Sequence, residues 1–341
     1  MKMSRVLSLL LTCALLAGCM STPTATPGVP DDPTVKIPAV TITVVKTPAV
    51  TIPAVKTPTA TIPAVKIPDF DHIVIIVLEN TNYATVDGNI KLPYLNALAE
   101  QNVLLTRYYA VAHPSLPNYI ALIGGSTFGI SENCDDCFLN HPSLPDLIEQ
   151  SGRTWKTYQE DLREPCGLGN EGQYRQKHNP FAYFDPIRLD EARCSEHIDP
   201  LTQLSADLQA GDLPNYAFIT PNMCNSGHDC EQKVVDDWLK EVVGELQASP
   251  VLERNSLIVI TYDEDGEKVS PTCCGIEGSG GQVFTVLISP LARPGFRDDT
   301  PLNHYSLLKT ILRAWDLPDL EATANPGVQV IRAPWKMEGQ P

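Results

Sequence analysis

The chain predicts an α/β domain with a mainly parallel central sheet and helices on both faces. Three observations carry this. Apolar runs such as Ile73-Val74-Ile75-Ile76-Val77-Leu78 do not alternate with polar residues. Successive strand residues point to opposite faces, so such a run is covered on both. Segments of helical period fall between the runs, the pattern of a sheet wound with helices. Polar clusters stand directly after the runs, where open α/β sheets bind ligands. Strands are expected near residues 72–78, 103–109, 153–158, 215–220, 256–262 and 282–288. Helices are expected at 92–101, 116–123, 142–150, 199–210, 233–247 and 303–315. The clearest is 233–247, with Val234, Val235, Trp238, Leu239, Val242, Val243 and Leu246 on one stripe. Residues 160–197 are polar and rich in Gly, Pro and Arg, and read as an irregular insertion beside the site.

Two segments precede this domain, which spans residues 69–341. Residues 1–18 have the form of a lipoprotein signal peptide: Lys2 and Arg5, then an apolar run from Val6 to Leu16 too short to span a bilayer. The run ends in Leu16-Ala17-Gly18-Cys19, which resembles a bacterial lipobox with Cys19 as the lipidated residue. The alternative is an ordinary secretory signal with an incidental cysteine. Multiple acyl chains give stable anchoring, so the expected location is the cell envelope, outside the cytoplasm, tethered to a membrane. Residues 19–68 form a Pro/Thr/Val-rich linker with a ten-residue repeat beginning at Lys36, Lys46 and Lys56, and again at Lys66. Its regularly spaced prolines exclude a helix and favour an extended spacer, at about 3.1 Å per residue.

Charge narrows the partners. Six of the chain's 25 basic residues but only two of its 41 acidic ones precede residue 69, so the domain holds 19 basic against 39 acidic residues, net −20. Such a surface argues against nucleic acid as a partner, because duplex binding needs a basic footprint. A phosphorylated substrate would also be repelled at long range, so local cations are expected at the site. Beyond Cys13 and Cys19, eight cysteines remain, an even number that implies disulfides in an exported chain. Proximity suggests Cys134–Cys137, Cys166–Cys194 and Cys224–Cys230, leaving Cys273–Cys274. A four-cysteine zinc site built from the two close pairs is the alternative.

The clusters after the strands carry chemistry. Glu79-Asn80 follows the first run and Asp263-Glu264 the fifth. Their oxygens suit one divalent metal ion, with Ca, Mg, Mn and Zn all open. Ser115, in His113-Pro114-Ser115-Leu116-Pro117-Asn118-Tyr119, opens a helix, where free N–H groups favour anions. Ser115 could equally be a simple N-cap. A serine becomes a good nucleophile only when a base or metal activates it. The remaining histidines, His72, His141, His178 and His197, read as structural or exposed, and Asp236 and Asp237 as a helix face near the site.

With these pieces in order, the chain resembles the bacterial acid phosphatase/phospholipase C-type phosphoesterase family of the alkaline phosphatase-like superfamily. The matching motifs are Glu79-Asn80, His113-Pro114-Ser115-x-Pro117-Asn118-Tyr119, Pro221-Asn222…His228-Asp229, Tyr262-Asp263-Glu264 and Asn303-His304-Tyr305-Ser306, over roughly residues 70–318. The resemblance implies an alkaline phosphatase-like fold, with Glu79, Asn80, Asp263 and Glu264 holding the metal and Ser115 as nucleophile. It further implies that His113, His228 and His304 assist at the phosphoryl group and that Asn80 and Asn118 bind substrate. Two-zinc members of the superfamily carry Asp-His where this chain has Asp263-Glu264, which favours a hard-cation or single-metal site.

The function expected is therefore an acid phosphatase acting on phosphate monoesters, small molecules or lipid head groups of the phosphoinositide type. A phospholipase C-type phosphodiesterase is the alternative; long phospholipases of the family carry further C-terminal domains, and the shortness of this chain after Trp315 favours the monoesterase. A sulfatase is disfavoured, because no Cys-x-Pro-x-Arg sequence is present. A non-catalytic surface binding module is the alternative of another class. Loss of the nucleophile or the carboxylate pair would mark it, and neither is lost.

Overall fold

The computed structural model describes residues 66–267, 273–274 and 280–336, all within the unit Thr61–Pro341. The signal, Cys19 and all but the last three linker residues lie outside the described residues. Ile67 is already buried in the core, so the domain's packing begins slightly before residue 69.

In chain order the strands are β1 (His72–Leu78), β2 (Val103–Leu105), β3 (Tyr108–Tyr109), β4 (Trp155–Gln159), β5 (Ile198–Pro200), β6 (Tyr216–Thr220), β7 (Ser256–Tyr262), β8 (Thr285–Ile288), β9 (Arg297–Asp298) and β10 (Leu302–Asn303). The helices are α1 (Tyr83–Val86), α2 (Pro93–Gln101), α3 (Ser115–Gly124), α4 (Leu144–Gln150), α5 (Asp185–Arg188), α6 (Glu191–His197), α7 (Gln203–Ala210), α8 (Gln232–Ala248) and α9 (His304–Ala314). The main sheet runs β5-β4-β6-β1-β7-β8-β2-β9. Its pairings are parallel except at β8, which is antiparallel to both neighbours. Every residue of β6 and β7 is buried, as is all of β1 after His72. Both faces are therefore covered, as the unbroken apolar runs required.

Capping explains how two of the helices start. Pro93 opens α2 with no side-chain cap of its own. The buried Asp236 of α8 supplies one across space, accepting from the N–H groups of Tyr94 (3.0 Å) and Leu95 (2.9 Å). Asp236 is thus a brace between helices, and Asp237 pairs with Lys233 along α8. In α9, Asn303 and Ser306 form a reciprocal capping box (3.0 and 3.1 Å), which fixes the orientation of His304 between them.

Three expectations need correction. The strand expected at 103–109 breaks into β2 and β3, which join different sheets. Strand β5 was hidden by its shortness and by Pro200; a proline is tolerated there because β5 lies at the sheet edge. The 160–197 insertion, read as irregular, is in part regular and packed. It contains α5 and α6, and Phe181, Ala182, Tyr183, Phe184 and Ile187 are wholly buried. Among the described residues the disulfides are Cys134–Cys137, Cys166–Cys194, Cys224–Cys230 and Cys273–Cys274, so the close pairs do not form a zinc knot.

Candidate active site

Parallel pairing in register sets Leu78 beside Tyr262, so the residues that follow, Glu79 and Asp263, emerge side by side at the carboxyl edge. Asn80 leaves the strand at φ 50°, a left-handed turn that asparagine tolerates better than most residues. Its N–H donates to Asp263 Oδ1 at 2.9 Å. Gly266 lies so close that a Cβ there would stand 2.7 Å from the Asn80 carbonyl oxygen. The two strand ends are locked together.

Ser115 reaches this edge from the first turn of α3. The loop before it is held by Asn118, whose Oδ1 accepts from the N–H groups of Val111 and Ala112 and whose Nδ2 donates to the carbonyls of Ala112 and Pro114. With four backbone partners and no exposure, Asn118 braces the loop before Ser115; it is not placed to bind substrate. Ser115 Oγ donates to Glu79 Oε2 at 3.0 Å and lies 3.5 Å from Glu264 Oε1.

Glu79 is the centre of the cluster. Wholly buried, it accepts from the Tyr119 hydroxyl at 2.6 Å and from Asn80 Nδ2 at 3.2 Å, and its Oε1 lies 3.1 Å from His178 Nε2. Burial pushes its carboxyl up, yet His178, Lys177 and Tyr119 outweigh this and hold it at about 2. Asp263 goes the other way: burial, then the charges of Glu79 and Glu264, raise it well above the usual range. Its Oδ2 is buried without a hydrogen-bond partner among the described residues.

The histidines divide. His113 pairs with Glu264 through Nδ1, and its Nε2 lies 3.6 Å from Asp265. His228 sits in the loop closed by Cys224–Cys230, with Nδ1 2.7 Å from Asp229 and its ring centroid 6.4 Å from that of His178. That loop is tied to the site, since the Glu79 N–H donates to the Ser226 carbonyl at 3.0 Å. His304 differs from the role implied for it. It is fully buried, its Nε2–H donates to the Asp263 carbonyl at 2.7 Å, and its Nδ1 meets the Tyr108 hydroxyl at 3.2 Å. Burial pushes its imidazole down to about 4, so it is neutral. His304 holds the strand end and has no ring nitrogen left for a phosphoryl oxygen.

Sequence reasoning missed two basic residues and one tyrosine. Lys177 Nζ donates to Ser115 Oγ at 3.3 Å, and His178, read as structural or exposed, is buried against Glu79. A Lys-His pair in so acidic a domain was the available signal. Tyr119 stands four residues after Ser115, one helical turn on, and that spacing places it on the same face.

A cleft of about 1010 Å³ opens beside the His228 loop, lined by Glu160, Asp161, Asn225, Trp238 and Glu241 among others. Its carboxylates make it a poor seat for phosphate, and Ser115 is not among its lining residues. The Ser115 cluster, by contrast, has the Lys177 ammonium beside its hydroxyl. Among the described residues no three His, Cys, Asp or Glu side chains already stand as a coordination shell. The donor set nevertheless fits a hard cation: three carboxylates, Glu79, Asp263 and Glu264, crowd one serine, and one carboxylate oxygen is an orphan.

A parallel sheet with one reversed strand, and a serine at a helix start facing the carboxyl edge, define an alkaline phosphatase-like α/β protein. The fold matches that of a protein in the alkaline phosphatase superfamily from Vibrio parahaemolyticus, with TM-score 0.52 and 14% identity, over 77% of this chain and 72% of that one. The profile of the Phosphoesterase family matches residues 89–318. The chain belongs to that family. It is 35% identical over 268 residues to a phosphate-repressible acid phosphatase of Penicillium chrysogenum, covering 74% of this chain and 60% of that protein. It is 31% identical to a phosphatidylinositol-3-phosphatase of Mycobacterium tuberculosis, covering 76% and 81%. The chain thus spans about three fifths of the fungal acid phosphatase's length.

Proposed function

We propose that the protein hydrolyses phosphate monoesters through a phosphoseryl intermediate on Ser115. The observation that carries this reading is the Ser115 hydroxyl, hydrogen-bonded to the Glu79 carboxylate and in contact with Lys177 Nζ. Glu79 is kept ionised by its buried partners, so it accepts the serine's hydrogen bond and can bind a cation. A carboxylate held so low is too weak a base to keep the hydroxyl proton, which passes on to solvent or the leaving oxygen. Lys177 faces the point where phosphoryl oxygens would gather charge, and such preorganised charge acts strongly away from water. Ser115 Oγ forms a bond to phosphorus as the ester oxygen leaves; water then cleaves the phosphoserine and restores the serine. His228, on its clamped loop, is the candidate to stabilise the phosphoryl group or protonate the leaving oxygen.

Glu79, Asn80, Asp263 and Glu264 would hold one divalent ion, whose identity among Ca, Mg, Mn and Zn is open. Such an ion would lower the pKa of the serine hydroxyl and offset the repulsion of the three carboxylates. The kinship with a phosphatidylinositol-3-phosphatase over 81% of its length favours head-group monoesters of phosphoinositides among the substrates. The sequence features at Cys19 support a lipid anchor that keeps the domain near a membrane. The test is a panel of 4-nitrophenyl phosphate, its bis-ester, phosphatidylcholine and a phosphoinositide, before and after chelator. Faster turnover of the bis-ester or phosphatidylcholine than of both monoesters would replace this reading with the phosphodiesterase one.

A further inference from the structure

Lys177 and His178 lie on a three-residue 3-10 turn, Gln176–His178, in a segment with little regular structure of its own. A turn this short has no cooperative stability, yet it delivers a long lysine to Ser115 and a buried imidazole to Glu79. Something outside it must fix its position. Gln176 is buried at 2% exposure and bonds to two other segments. Its N–H donates to Asn170 Oδ1 at 3.0 Å, and its Oε1 accepts from the Gly169 N–H at 2.6 Å. Its Nε2 donates to the Asp135 carbonyl at 2.9 Å.

Asp135 lies inside the ring closed by Cys134–Cys137. The same short segment takes a hydrogen bond from Asn170 Nδ2 on the Asp135 carboxylate (2.9 Å) and one from the Tyr183 hydroxyl on the Cys134 carbonyl (2.7 Å). Its neighbour Asn133 accepts from the Leu116 N–H at 3.1 Å, directly after Ser115. One small loop thus grips both the turn that carries Lys177 and the first turn of the nucleophile helix.

We propose that Gln176 and the Cys134–Cys137 loop form a clasp that positions Lys177 and His178 against Ser115 and Glu79, so that phosphoryl-group affinity depends on this disulfide. The inference rests on the reading of Lys177 as a phosphoryl contact. Gln176 is a positioning residue; it touches no reacting atom. The physical reason is leverage: a displacement of about 1 Å in a positioned group can cost on the order of 100-fold in rate.

The test uses the full chain, with inorganic phosphate affinity measured by calorimetry beside kcat and KM on 4-nitrophenyl phosphate. Gln176→Ala and the Cys134→Ser/Cys137→Ser double variant should each weaken phosphate binding about tenfold. Because they act through one contact, the combined variant should be little worse than the weaker single one. Trp315→Phe is the reference for stability alone: it loses the buried bond from the indole Nε1–H to the Phe70 carbonyl, before β1 and away from the carboxyl edge. It should lower Tm and leave phosphate affinity unchanged. Affinity within twofold of wild type in both clasp variants would overturn the proposal, as would a loss in Trp315→Phe equal to theirs. Lys177→Met separates the clasp from the reading beneath it. If it weakens phosphate binding while Gln176→Ala does not, the clasp alone falls; if it leaves binding unchanged, both fall.

Discussion

His304 and His178 are both buried at the carboxyl edge, and they do opposite things. His304 spends both ring nitrogens on the scaffold, one on the Asp263 carbonyl and one on the Tyr108 hydroxyl. His178 stacks on Tyr119 and turns Nε2 toward the Glu79 carboxylate that holds Ser115. Burial pushes both imidazoles down; the Glu79 charge pulls against it at His178 and the Asp263 carbonyl at His304. A buried histidine is therefore judged by what each nitrogen touches; burial alone does not tell a scaffold role from a chemical one.

The largest effect expected at the reacting cluster is that of Ser115→Ala, with turnover falling at least about a thousandfold as for other lost nucleophiles. Tm should move little, because Ser115 caps no backbone N–H and the Glu79 oxygen it donates to also accepts from Asn80. Activity within tenfold of wild type would remove Ser115 from the chemistry. Glu79→Ala and Asp263→Ala should each abolish activity and lower metal content in elemental analysis. Full metal content with retained turnover in both would break the shared-site reading.

The two histidines are compared directly by His178→Phe and His304→Phe. The first should cut kcat/KM by about 100-fold, the scale on which removing a positioned polar group acts. The second leaves the Tyr108 hydroxyl and the Asp263 carbonyl without a partner, so it should cost about 1–3 kcal/mol of stability in urea unfolding. Its loss of kcat/KM should be the smaller of the two. The reverse ranking in activity would restore His304 to the role first implied for it.

Removal of Cys224–Cys230 should act mainly on rate. Its short ring contributes at most about 2–3 kcal/mol by chain entropy, while it fixes the loop carrying His228. An unchanged kcat in the Cys224→Ala/Cys230→Ala variant would show that His228 needs no clamp. The smallest effect is expected toward the sheet edge, where Lys156 bridges Asp199 and Asp207 at 3.0 Å each. Burial would raise the Asp207 carboxyl, but Gln203, Tyr158 and Lys156 hold it below its usual value of 3.8. The stabilisation is thus complete above that value and fades as pH falls through the lowered one. Lys156→Met should therefore lower stability slightly at pH 7, and the difference from wild type should shrink as pH falls through the lowered Asp207 value.

Much of the fold was legible because its signals are local. The runs at β1, β6 and β7 are apolar through most of their length with no polar alternation, and α8 carries its stripe in one continuous segment. Adjacent strand ends made Glu79, Asn80, Asp263 and Glu264 readable as one cluster, and sequence proximity paired the cysteines. The short pieces were not legible: β5, β9 and β10 have two or three residues each, too few to show a period. Asn118 and His304 were misread because a motif shows that a residue is needed but not what it touches.

By itself the sequence determined the class of sheet, the carboxyl-edge carboxylates and the serine at the start of α3, since each follows from strand period, register or helix capping within a few residues. Tertiary structure alone decided which basic residues meet that serine and its carboxylate. Lys177 lies 62 residues from Ser115 and His178 lies 99 from Glu79, on a turn with no periodicity, held by Gln176 and a disulfide loop from another part of the chain. No local pattern encodes a contact across such separations, because it exists only once packing has brought the segments together.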